Sequence, residues 1–221
     1  MASAAYQTHG EFQVGQSDHA PDMNMPQKMG RALWKPMVVM AVMAFPIAAI
    51  LGIVRASALD SGDQQSTVAA LGQIVTAVMF IGFASVFAAI IFAIANILGT
   101  LRTGGGGVQE TAGRRVLTLT MPVTAKAMIV LMMMAMMMLV FAVVVHVVLA
   151  IVVADAVTDG NQSTIDSVNS WATWVEGVRR FGVAVYLVSA ALGLGTIIRV
   201  LRFQSLRVRE LPDEAQLSPS S

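Results

Sequence analysis

The sequence predicts an all-α integral membrane protein, a bundle of four transmembrane helices with both the N and the C terminus in the cytoplasm. Three observations predict this fold: the composition, four long apolar runs and the placement of the charges. Of the 221 residues, 56% are hydrophobic and 12% are charged, and the mean hydropathy is +0.71. Soluble domains carry about 25% charged residues. The composition therefore indicates a chain whose solvent is lipid.

Four apolar runs are long enough to cross the roughly 30 Å of hydrocarbon in a bilayer as helices. The first run contains Pro46, where we expect a kink because proline removes a helical hydrogen bond. The predicted transmembrane helices cover about 37–54, 68–101, 127–154 and 181–201.

Polar segments flank and connect these runs. They define an N-terminal tail at 1–33, a transmembrane domain at 34–204 and a cytoplasmic C-terminal tail at 205–221. The N-terminal tail has no periodic apolar pattern, so we expect it to be extended or disordered. Gly104–Gly107, between the second and third spans, predicts a flexible joint. It is not a phosphate-binding loop, because Val108 follows where such a loop has Gly-Lys-Ser/Thr.

The second outer loop, roughly Asp155 to Arg180, is long enough for a short helix on the outer membrane surface. Trp171 and Trp174 lie in this loop. An indole suits the headgroup layer, where it buries its ring and keeps its N–H group hydrated.

The basic residues near the helix ends predict the topology. Lys and Arg cluster before the first span, between the second and third spans and after the fourth span. They are Lys28, Arg31 and Lys35, then Arg102, Arg114, Arg115 and Lys126, then Arg199, Arg202, Arg207 and Arg209. The two remaining loops are mainly acidic, and the positive-inside rule therefore places the basic segments in the cytoplasm. We expect a multi-pass protein of the bacterial cytoplasmic (inner) membrane.

His146 is the one acidic or basic side chain well inside a predicted span. A buried ionisable residue in lipid is costly and suggests a function, here axial ligation of a haem or a proton relay. The competing interpretation is a neutral imidazole, hydrogen-bonded to a neighbouring helix or a lipid headgroup. His9 and His19 lie in the N-terminal tail, which argues against a haem held by two histidines of this chain. The hydrogen-bonded imidazole is therefore preferred.

The third run is unusually rich in methionine, and Met132, Met133, Met136 and Met137 belong to it. Thioethers bind Cu(I) when several converge. Consecutive positions, however, point around most of a helix and cannot all converge on one ion. Methionine also fills irregular gaps well, so we assign this run to packing and predict no metal site.

Small residues recur at a spacing of four in the second and fourth runs, which lets helix backbones approach closely in lipid. The pairs are Ser85 with Ala89, Ser189 with Gly193, and Ala191 with Gly195.

The function predicted from these features is that of a non-catalytic accessory or structural subunit of a larger multi-subunit membrane protein complex. An energy-converting or redox membrane enzyme is the parent complex that we expect. The alternatives are a haem-binding membrane anchor using His146, or a small transporter or channel. The chain has no cysteine and a net charge of +1, which gives no thiolate chemistry and no basis for a nucleic-acid partner. We expect other integral membrane subunits and membrane lipids as partners, with no resident cofactor.

Overall fold

The structure, a computed structural model, describes residues 7–9, 12–62 and 65–215. Within these residues four helices are long and apolar enough to cross a membrane. They are α1 (Met25–Asp60), α2 (Gln65–Thr111), α3 (Val123–Thr158) and α4 (Gln162–Ala215). Each predicted apolar run falls within one helix, which confirms the mainly helical class and the number of candidate spans. The side of the membrane on which each terminus lies stays a prediction.

Helix α1 begins within the predicted N-terminal tail and continues through Pro36 and Pro46. Its start is set by Asn24, whose side-chain oxygen accepts the N–H group of Gln27 at 3.3 Å. The N–H group of Asn24 in turn donates to the side-chain oxygen of Gln27 at 3.1 Å. This reciprocal capping satisfies two backbone donors at the helix start.

Glycines in the left-handed region end two of the helices. Gly113 has φ 70° and Gly160 has φ 66°, a conformation that costs glycine little. At the end of α2 the N–H groups of Gly113 and Arg114 donate to the carbonyls of Glu110 and Gln109. The same pair of hydrogen bonds follows α3, and both ends are Schellman motifs.

The predicted flexible joint at Gly104–Gly107 was wrong, because all four glycines lie inside α2. The segment predicted to form the second outer loop is also largely helical, since α3 ends at Thr158 and α4 begins at Gln162. The segment predicted to form a surface helix is thus continuous with the fourth apolar run. Whether that part of α4 lies on a membrane surface stays a prediction.

A three-stranded antiparallel sheet was not predicted. Strands β1 (Gln7–His9), β2 (Phe12–Ser17) and β3 (Val116–Leu119) pair in the order β1-β2-β3. Val14 of β2 lies opposite Leu119 of β3. Phe12 and Val14 alternate with exposed or half-buried residues along β2, which is the pattern of a strand with one buried face.

The chain divides into two compact units. Unit 1 comprises residues 1–33, 91–129 and 190–221, and unit 2 comprises 34–90 and 130–189. The core of unit 1 joins the sheet to α4 through Phe12, Val14 and Phe203. The core of unit 2 has two clusters, built around Phe80, Ala142 and Val175 and around Leu149, Val153 and Val168.

Candidate functional site

His146 lies on α3 in unit 2 and is 3% exposed. Its Nδ1 atom is 2.8 Å from Oε1 of Gln73 on α2. Because an amide oxygen only accepts, Nδ1–H is the donor and Nε2 carries the lone pair. Nε2 is buried without a hydrogen-bond partner. The imidazole therefore joins two helices through one nitrogen, while the other is enclosed by protein.

The ring of Phe80 contacts both this histidine and a charged residue of α4, Arg179. The ring of Phe80 meets the imidazole of His146 edge-on, with centroids 5.2 Å apart. The Arg179 guanidinium lies 4.3 Å from the centroid of the Phe80 ring, which is cation–π geometry. Arg179 also pairs with Glu176, and Nε of Arg180 lies 2.9 Å from the same carboxylate. We call Gln73, Phe80, His146, Glu176 and Arg179 the histidine cluster.

The histidine cluster joins residues that the sequence analysis left apart. His146 was singled out there, whereas Arg179 was assigned only to a predicted outer loop. A haem ligand needs a ring nitrogen open to a flat macrocycle, but Nε2 of His146 is fully enclosed. The arrangement as it stands supports a hydrogen bond between α2 and α3. The haem role of His146 stays a prediction without a geometric observation in its favour.

The predicted small-residue positions have different environments. Ser85, Ala89 and Ser189 are buried, and the Ser85 hydroxyl donates to the carbonyl of Ile81 within α2 at 2.6 Å. In unit 1, a Cβ at Gly193 would lie 2.7 Å from the Met128 sulfur, so this glycine admits a side chain of α3. A Cβ at Gly195 would meet nothing within 4 Å. One glycine of α4 is therefore used inside the chain and the other is exposed.

The methionines of α3 also differ in environment. Met128 is buried at 3%, whereas Met133 is 59% and Met137 is 72% exposed. The sulfur of Met136 accepts the Tyr186 hydroxyl at 3.2 Å. Met132 is half-buried. These side chains therefore have different environments, and their assignment to packing stays a prediction.

Glycine contacts in unit 1 were missed by the sequence analysis. A Cβ at Gly105 would collide with the side-chain amide of Gln204 and lie 2.6 Å from Nη1 of Arg207. That amide donates to the carbonyl of Leu101 at 2.7 Å, bridging α4 to α2. A Cβ at Gly106 would lie 2.8 Å from Cδ of Pro21. Gly105 thus leaves room for the Gln204 side chain to pack against the backbone of α2, and Gly106 leaves room for the N-terminal segment at Pro21.

Helices α1 and α2 also approach closely in unit 1 at Gly30. A Cβ there would lie 2.7 Å from the Phe92 carbonyl oxygen and 2.9 Å from both Cβ of Ala95 and the backbone nitrogen of Asn96. Real Cβ atoms do not come this close to backbone, so only glycine fits. The sequence signal for such a contact is a pair of small residues at a spacing of four. Gly30 has no such partner and lies outside the predicted spans, so it was missed.

We define Gly30, Gly105 and Gly106 as the glycine contacts.

Comparison of the chain with protein-family models, with curated proteins and with solved structures found no match. The features that bear on function are therefore the histidine cluster, the glycine contacts and the exposed surfaces.

Proposed function

We propose that this chain is a non-catalytic subunit of a larger multi-subunit membrane protein complex, crossing the membrane four times with both termini in the cytoplasm. The observation that carries the proposal is the outward-facing methionine surface of α3, formed by Met133 and Met137. An energy-converting or redox enzyme remains the parent complex that the sequence suggests.

The methionine surface has an internal counterpart that explains its use. Met128 fits its sulfur against Gly193 inside unit 1, which uses the flexibility of an unbranched side chain to fill an irregular gap. Met133 and Met137 are mostly exposed. Lipid tails adapt to any apolar shape, so a flexible residue gains little against them. Against a second protein surface the same flexibility improves the fit.

The polar side chains of the helices support a packing role. His146 bonds to Gln73, and the hydroxyls of Thr124 and Thr196 lie 3.0 Å apart across α3 and α4 in unit 1. Each contact joins two helices of this chain. Interhelical hydrogen bonds of this kind stabilise helix packing in lipid, which is what a structural subunit requires.

The charges support the proposed orientation. Most of the Lys and Arg residues belong to unit 1, which holds the start of α1, the α2–α3 connection and the end of α4. Unit 2 holds the acidic connections at Asp60 and Asp155. By the positive-inside rule, the ends in unit 1 are cytoplasmic.

Co-purification tests the subunit role. The tagged chain is extracted from native membranes in mild detergent, and co-eluting proteins are quantified by mass spectrometry. We expect integral membrane partners in near-equal amount. Met133→Ala with Met137→Ala should weaken the association with these partners about tenfold, which is a loss of about 1.4 kcal/mol for the pair. This is a moderate loss, because only a minority of interface residues cost more than about 1 kcal/mol each when truncated.

The matched control is Ile50→Ala with Ile53→Ala on α1, two apolar residues that are 59% and 66% exposed. This pair should leave partner recovery near the wild-type value. Circular dichroism of each variant checks that the helices are retained. Elution of the wild-type chain alone would overturn the subunit role, and equal losses from both pairs would show that the methionine surface has no special part.

A further inference from the structure

An open groove lies in unit 1 beside the first turns of α1. Its volume is about 660 Å³, and it is lined by Met23, Lys28, Arg31, Ala32 and Thr103. We call it the basic groove. The volume is within the range of about 300–1,000 Å³ that is usual for small-molecule sites.

The charge of the basic groove has one sign. Lys28 and Arg31 are three residues apart on α1 and so share a helix face, and both are exposed. The lining contains no carboxylate. In the part of the chain that the structure describes, the ion pairs of Glu110 and Glu176 use neither Lys28 nor Arg31. Two neighbouring cations without a counter-charge favour an anionic ligand.

Thr103 contributes a hydrogen-bond acceptor. Its hydroxyl donates to the carbonyl of Gly99 at 3.1 Å within α2, so its own hydrogen is engaged. Phosphate oxygens would pair with Lys28 and Arg31, while Thr103 suits a donor such as a hydroxyl group of the same ligand. A phosphate ester that carries a free hydroxyl matches this set.

The apolar part of the lining and its surroundings indicate where such a ligand comes from. Met23 and Ala32 line the groove, and Met25 and Met29 of α1 are 74% and 43% exposed. Free phosphate gains nothing from apolar neighbours, whereas the glycerol and first acyl carbons of a lipid do.

We propose that the basic groove binds the headgroup of an anionic phospholipid whose phosphate is held by Lys28 and Arg31. The proposal rests on the membrane location proposed above. Basic pockets on the cytoplasmic side of membrane helices bind phosphorylated headgroups through this combination of cations and adjoining apolar surface.

The test uses the purified full-length chain in phosphatidylcholine bilayers, with and without phosphatidylglycerol. Native mass spectrometry measures retained lipid, and a thermal-shift titration gives the apparent affinity. We expect phosphatidylglycerol to raise the melting temperature of the wild type. Lys28→Gln with Arg31→Gln should weaken the apparent affinity by roughly thirtyfold, from about fivefold per cation near a membrane surface.

The matched control is Lys126→Gln with Arg202→Gln, which removes the same charge from two exposed residues of unit 1 that lie outside the groove lining. It should change the affinity by less than about threefold, because neither side chain lines the groove and exposed charges that make no direct contact are screened by salt. Equal losses in both pairs, or no response to phosphatidylglycerol, would overturn the proposal.

A further arm adds inorganic phosphate to the chain in phosphatidylcholine alone. Stabilisation equal to that by phosphatidylglycerol would overturn the lipid as the source. Because the isolated chain is used, failure of partner co-purification leaves this result unaffected. A chain recovered from the soluble fraction of cells would instead overturn the membrane location itself.

Discussion

The histidine cluster of unit 2 and the glycine contacts of unit 1 stabilise helix packing by opposite means. In the cluster, His146 of the apolar helix α3 hydrogen-bonds to Gln73 on α2. At the glycine contacts, the absence of a side chain lets a neighbouring segment pack directly against the helix backbone. Gly30 of α1, for example, packs against the backbone of Phe92 and Asn96 on α2. The first device depends on one hydrogen bond and the second on close van der Waals contact.

The difference teaches which of the two tolerates change. A hydrogen bond between helices in lipid contributes about 0.6 kcal/mol on average, because the unfolded chain in the membrane also finds partners. A side chain forced into a packed contact costs about 1–3 kcal/mol, since the backbone must move. Substitutions at the glycine contacts should therefore lower stability more than substitutions in the histidine cluster, although the glycines carry no polar side chain.

Replacing Gly30 by alanine tests the larger of these effects. The added Cβ would lie within 3 Å of three atoms of α2, two of them backbone. Helix propensity alone would favour alanine by about 1 kcal/mol. Because two of the three close atoms are backbone, we expect a steric cost in the upper part of the range for a packed contact, about 2–3 kcal/mol. Less the propensity gain, the net destabilisation is about 1–2 kcal/mol. The measurement is SDS-induced unfolding followed by circular dichroism.

Gly104→Ala is the control for that experiment. Gly104 is in the interior of α2 and a Cβ there would meet nothing within 4 Å, so only propensity acts. We expect stabilisation by about 0.5–1 kcal/mol. If both variants shift stability in the same direction, the packing account of Gly30 is wrong.

The glycines also show where sequence-based prediction stops. The four apolar runs were recognisable because bilayer thickness sets their length. The start of α1 was missed, because residues 1–33 were assigned to a tail, although Asn24 and Gln27 form a local capping box. Gly105 was read as part of a flexible joint because its contacts come from Gln204 and Arg207 on another helix. The residues near Gly105 in the sequence do not indicate these contacts.

The same distinction applies to the sheet and to the histidine cluster. Strands β2 and β3 pair across a long stretch of chain, so the polar N-terminal tail gave no local sign of its partner. His146 was found at once because a lone ionisable residue contrasts with its apolar neighbours. Its partner Gln73 was not assigned to it, because periodicity does not indicate which helices face each other.

The hydrogen bond of the histidine cluster predicts an intermediate effect. Gln73→Leu removes the acceptor of Nδ1–H and leaves both imidazole nitrogens of His146 without a partner. We expect a loss of about 1 kcal/mol, measured by the same SDS unfolding. His146→Phe combined with Gln73→Leu should recover most of that loss, because no buried polar group is left unpaired. A double mutant as unstable as the sum of the two single mutants would mean that the residues are not coupled.

The smallest expected effect is a local, pH-dependent one at the N-terminal segment that packs against Gly106. Glu110 lies beyond Leu101, the predicted end of the second span, and its carboxylate accepts the N–H group of Ala20 at 3.1 Å. That hydrogen bond, followed by the contact with His19 at 3.3 Å, holds the pKa of Glu110 below its ordinary value. A lowered pKa means that the contact stabilises the folded chain at neutral pH. The contribution is lost as the pH falls through the lowered pKa.

Amide hydrogen exchange at Ala20, compared between the wild type and Glu110→Gln at each pH, measures this contribution because intrinsic exchange rates then cancel. We expect slower exchange in the wild type above the ordinary glutamate pKa of about 4.3, and equal rates well below it. The matched control is Glu176→Gln, which removes a glutamate of unit 2 and should leave Ala20 unchanged. The 45% exposure of the Glu110 side chain allows solvent to weaken the contact, so the helices should stay folded throughout. A difference at Ala20 that persists unchanged in acid would show that Glu110 acts there through packing and not through its charge.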